Sequence, residues 1–80
     1  MKKYNVEFIV STQNTTIKES MEDFVLAENE IEAVEFAIDR LFEDIRNNNF
    51  NADVDNNEII VYDEDDEICE RYTDFTATEC

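Results

Sequence analysis

One stretch of helical periodicity, Glu28–Asn49, separates two stretches in which apolar residues alternate. Ile31, Val34, Ala37, Ile38, Leu41, Phe42 and Ile45 recur at three- and four-residue spacings and form one apolar face. Asn29 is placed to cap the first turn, and Glu32, three residues on, to reach back toward it. Glu28, Glu30 and Glu32 lie where the helix dipole favours negative charge. Arg46 suits the last turn, and the run Asn47, Asn48, Asn49 supplies residues that tolerate a left-handed stop. The opposite face carries Glu32, Glu35, Asp39, Glu43 and Asp44, relieved by Arg40 alone. Glu28/Glu32, Glu35/Asp39 and Asp39/Glu43 are like charges four apart, each costing an isolated helix about 0.2–0.5 kcal/mol. One such carboxylate is an ordinary solvated charge. A row of them is not a design for helix stability.

Before the helix, Tyr4, Val6, Phe8 and Val10 alternate with polar residues over Lys3–Thr12, the pattern of a half-buried strand, with Ile9 out of phase. Gln13 and Asn14 make the turn. Thr15–Ala27 returns as a second strand, with a bulge near Glu22 bringing Ile17, Met21, Phe24 and Leu26 to one side. After the helix, Asn56–Asn57 predicts a two-residue hairpin turn that sets Val54 opposite Ile59 and Ala52 opposite Val61. A turn at Asp65–Asp66 sets Asp63 opposite Ile68 and Val61 opposite Glu70. Both turns place Phe50, Ala52, Val54, Ile59, Val61, Ile68 and Tyr72 on one face. Thr73–Cys80 is a final short strand or a tail. The chain has neither glycine nor proline, so Asn and Asp must supply every positive-φ position. The expected fold is a single α+β domain over 1–80. Its antiparallel sheet has four to five strands with one helix on one face, in the order β-β-α-β-β and with room for a further short strand.

An 80-residue chain buries roughly 60–65% of its unfolded surface. A hydrophobic fraction of 42% separates it from disordered acidic tails. Yet 22 acidic and 6 basic residues give a formal charge of −16. Small designed domains carry a net magnitude of about 2–8, and solubility does not require more. Such charge repels nucleic acid and anionic membrane as direct partners and favours metal cations or a basic protein. No segment reaches the roughly 18 apolar residues of a membrane span, and MKKYNVEF alternates as a strand rather than reading as a signal peptide. Two cysteines make no disulfide framework, which points to a reducing, cytoplasmic setting.

Catalysis finds little footing: there is no histidine, no glycine-rich phosphate loop and no cysteine beside a base. Two cysteines without histidine exclude the usual zinc sites. No cofactor is expected. The candidate partner-binding residues are Glu28, Glu32, Glu35, Asp39 and Glu43 on the helix back, with Asp63, Glu64, Asp65, Asp66 and Glu67 at a hairpin tip. Phe36 joins them as an aromatic among charges, the composition of an interface anchor. Ile60 and Tyr62, on the outer sheet face, invite the same reading. A calcium alternative places Asp53, Asp55 and Asn57 at positions 1, 3 and 5 of an EF-hand-like loop and Glu64 at position 12. Its position 6 holds Glu58 where the sharp turn needs glycine.

The acidic helix back from Glu28 to Asp44, together with the Asp63–Glu67 run, gives the chain a class-level resemblance to small acidic anti-defence proteins of phages and mobile elements. Anti-CRISPR and anti-restriction DNA mimics are similar in size, single-domain character and acid excess. The segment VLAENEIEAVEFA, Val25–Ala37, also resembles the strand-to-helix junction of small phage and bacterial β-β-α proteins. The resemblance implies a non-enzymatic inhibitor, acting in the host cytoplasm, that blocks the positively charged groove of a nucleic-acid-binding protein. Two other readings stand beside it: an interaction module binding through exposed apolar residues, and a calcium-binding loop.

Overall fold

The computed structural model describes residues 1–80 and contains one helix packed on one face of a six-stranded antiparallel sheet. Strand β1 (Lys2–Ser11) buries Tyr4, Val6, Phe8 and Val10. Its turn closes without glycine: the Thr12 hydroxyl accepts from the Asn14 and Thr15 amides at 3.4 and 3.1 Å. Strand β2 (Thr16–Ser20) then pairs with β1, Val10 opposite Ile17 and Phe8 opposite Glu19.

The alternation predicts one return strand over 15–27, whereas the chain breaks after Ser20 and resumes as β3 (Val25–Ala27), again on β1. The predicted bulge was to turn Phe24 and Leu26 inward; instead both are exposed, and Val25 and Ala27 are fully buried. The reason is space. Val25 and Ala27 share a core cluster with Ala33 and Ala37 of the helix, where small side chains let helix and sheet approach closely.

Helix α1 (Glu30–Asn47) begins at Asn29, whose side chain accepts from the Glu32 amide at 2.9 Å. Glu32 returns the bond, Oε1 accepting from the Glu28 amide at 3.1 Å. Asn29→Ala removes this cap and is expected to cost about 1 kcal/mol, lowering the melting temperature by roughly 4–8 °C. Thermal unfolding followed by circular dichroism checks it. At the other end the Asn48 side chain donates to the Asp44 carbonyl, and Asn49 turns to φ 67°. Ile31 falls in the apolar spacing yet is 73% exposed. Strand β5 (Glu58–Tyr62) pairs with β6 (Ile68–Glu79) as far as Tyr72.

The β4 (Asn51–Asp55) to β5 hairpin has the expected register, with Asn56 and Asn57 at φ 49° and 60°. Ala52, Ile59 and Val61 are buried; Val54 lies opposite Ile59 on the predicted face, but it and Phe50 are exposed because β4 is an edge strand. Ile68 leaves that face: a register shift after Val61 sets it opposite Tyr62, and Cys69 packs against the core instead. Far from being a tail, 73–80 is mostly strand. β6 lies at the centre of the order β2-β1-β6-β5-β4. The pairing with β1 shifts register near Asp74, at φ 53°, beside Phe75, which stacks on Phe8 at 5.2 Å. All five positive-φ residues (Asn49, Asn56, Asn57, Asp66 and Asp74) are Asn or Asp.

Candidate functional site

Helix α1 presents Glu35, Asp39 and Glu43 to solvent, with Glu28 exposed just before its cap. At 1.5 Å per residue the row from Glu28 to Glu43 extends over roughly 22 Å. The molecule has two ion pairs, Lys2–Glu79 at 3.7 Å and Lys18–Glu7 at 3.5 Å. Neither involves the row. Glu32 differs from its neighbours, since its half-buried carboxylate is engaged by the Glu28 amide. Phe36 is 40% exposed, one helical turn from Glu32, Asp39 and Arg40.

At the hairpin tip, Asp63 is a structural organiser. Its Oδ1 accepts from the Asp65 and Glu67 amides at 2.9 and 3.0 Å, and its own amide donates to the Glu67 carbonyl at 2.8 Å. Asp63, not Glu64, therefore faces Glu67: the loop holds three residues, Glu64, Asp65 and Asp66 (at φ 59°), one more than the predicted two-residue turn. Glu64, Asp65, Asp66 and Glu67 remain exposed. Arg46, in the last helical turn, and Asp66 line one shallow cleft with Asn51, Asp53 and Tyr62, so the C-terminal end of the helix lies beside the tip, with a cation between them. Three cations go elsewhere. Lys3, Lys18 and Arg71 occupy the sheet face opposite the helix, in register with Leu26, Ile9 and Ile60.

The calcium arrangement is not formed. Asp55 and Asn57 flank one end of β5 and Glu64 lies beyond the other, with five strand residues, roughly 17 Å, between. Asp53 is paired within the ladder opposite Ile60.

The structure adds a site that the sequence reading did not single out. The helix does not reach β2, and a cleft of about 500 Å³ opens between them. Phe8, Val10, Leu41 and Tyr72 contribute its apolar lining; Glu19, Glu22, Asp23, Asp44 and Glu70 its carboxylates; Arg40 is its one cation. Glu70 sits directly opposite buried Val61, and its Oε1 accepts from the Tyr72 hydroxyl at 3.4 Å. The signal was present: Glu70 was already placed opposite Val61, and Glu19 shares the parity of Ile17 and Met21.

Burial pushes the Tyr72 phenol above its ordinary value of 10.0, and the neighbouring Glu70 charge, its hydrogen bond and the Glu19 charge push it further. The folded state holds the neutral phenol. The stability this confers is fully present below pH 10.0 and is lost as pH rises through the folded value. Melting temperature should therefore fall more steeply above pH 10.0 in the native protein than in Tyr72→Phe; parallel profiles would contradict the assignment.

Self-repulsion makes a separate prediction. Raising salt from about 0.01 M to about 1 M shortens the screening length from about 30 Å to about 3 Å. The molecule measures 41 × 23 × 21 Å, so unscreened charges interact across most of it. The melting temperature should rise by several degrees over that range; a flat profile would mean the carboxylates do not strain the fold.

No helix is long and apolar enough to cross a membrane. No family model, curated protein or solved structure matches the chain.

Proposed function

We propose that the domain is a non-enzymatic inhibitor that mimics nucleic-acid charge. It occupies the basic groove of a nucleic-acid-binding host defence protein, such as a CRISPR effector or a restriction enzyme. One observation carries the reading: 22 carboxylates stand on a packed fold with two ion pairs between them, neither touching the helix row or the tip. DNA presents one charge per about 1.7 Å of axis, and its binding proteins meet that charge with lysine and arginine. Glu28, Glu35, Asp39 and Glu43 along the helix, together with Glu64, Asp65, Asp66 and Glu67 at the hairpin tip, offer the same groove an alternative anion on a folded scaffold without a large ordering cost. Opposite charge also speeds encounter.

The test is capture from bacterial lysate with and without nuclease. A basic nucleic-acid-binding protein should be retained more strongly after nuclease treatment, and the complex should weaken steeply with salt. Retention indifferent to both would contradict the mimic and favour an interaction module. Exposed Phe36 is the observation on that side, with half-buried Ile60 and Tyr62.

A further inference from the structure

We infer that the cleft between β2 and α1 receives an arginine side chain of the basic partner. The inference rests on the reading above that the partner is cationic, and adds a specific seat to a diffuse attraction. The seat is a cleft of about 500 Å³, within the range of ligand pockets and large enough to take a long side chain. Its floor is apolar and aromatic: Phe8 and Tyr72 lie with ring centroids 5.7 Å apart, and Leu41 packs against the same region from the helix.

Glu70 is the unusual group. It occupies a core-facing position at the centre of the sheet, half-buried, with a tyrosine hydroxyl as its one side-chain partner. Arg40 lines the cleft yet comes within ion-pairing distance of no carboxylate, as neither of the two ion pairs includes it. Half-buried Glu70 and exposed Glu19 border the same apolar surface, and neither has an intramolecular counter-ion at this face, so their charge is available to an incoming cation. Guanidinium fits better than ammonium. It is planar, weakly hydrated, lies flat on aromatic rings and presents several donors to the carboxylates of Glu19 and Glu70. Its aliphatic stem would cover Leu41 and Val10.

The test is an NMR titration of the isotope-labelled protein with N-acetyl-arginine methylamide, repeated with the lysine analogue. Saturable shifts confined to Phe8–Val10, Ile17–Asp23, Arg40–Asp44 and Glu70–Tyr72 are expected, with arginine the tighter ligand. Glu19→Gln/Glu70→Gln should weaken arginine binding about tenfold or more, whereas Glu35→Gln/Asp39→Asn/Glu43→Gln should leave it within about twofold. Both variants keep side-chain shape, and their spectra outside the cleft report that they are folded. Shifts spread over the whole acidic surface, equal response to lysine, or indifference to the Glu19/Glu70 change would overturn the inference. The two proposals fail separately. Arginine seated in the cleft without competition between the domain and nucleic acid for a basic protein sinks the mimic alone; competition unaffected by Glu19→Gln/Glu70→Gln sinks the cleft alone.

Discussion

Replacing Glu35, Asp39 and Glu43 together by Gln, Asn and Gln should weaken binding to the basic partner by about a hundred- to a thousandfold. Each is exposed and free of intramolecular ion pairs, so its interaction with a partner's lysine or arginine is not already spent. A charge-assisted hydrogen bond across an interface contributes on the order of a factor of ten, and three are removed. The same variant should melt slightly higher than the native protein. The substitution relieves the Glu35/Asp39 and Asp39/Glu43 repulsions on the helix surface. Loss of binding with gain of stability is the combination that separates a functional row from a structural one. Isothermal titration and thermal unfolding on one preparation measure both. Unchanged affinity would remove the helix back from the interface.

Ile59→Ala should be the most damaging single truncation in the core. Ile59 is fully buried, opposite Val54 on one side and Tyr72 on the other, in the cluster that holds Ile38 of the helix to β4 and β5. Removing it costs roughly 2–5 kcal/mol, against a total of about 4–12 kcal/mol for a chain of this length. The melting temperature should fall by roughly 10–30 °C. Because self-repulsion works against the fold as well, added salt should recover part of that loss, which a scan of melting temperature against salt would reveal. A drop of only a few degrees would mean that the second cluster is not what fixes the helix to the sheet.

The two substitutions bracket what the chain reveals before folding. The helix, its Asn29 cap and the Asn56–Asn57 turn were legible because each depends on residues close in sequence. β6 was not legible. Asp74, at φ 53°, shifts the phase between Tyr72 and Phe75, so the longest strand of the sheet lacks a continuous alternation. The β2–β3 detour hid for a different reason. Large Phe24 and Leu26 look like core, but the helix sits so close that only Val25 and Ala27 fit beneath it. Of the candidate site, the exposed row was legible from helical spacing, and so was Glu32's reach back to the backbone at the helix start, while Asp63's capture by the Asp65 and Glu67 amides was not. The cleft depends on which part of the sheet the helix leaves bare, and that is settled only by packing.

In the proposed function, the fold leaves its negative charge uncompensated so that something cationic can take it up, and one measurement bears on this directly. A fluorescent duplex is bound to the basic protein captured from lysate, and the domain is titrated in while anisotropy is followed. Stoichiometric release of the duplex, fading steeply as salt is raised, is the result expected of a charge mimic. A stable complex holding domain and duplex together would contradict it.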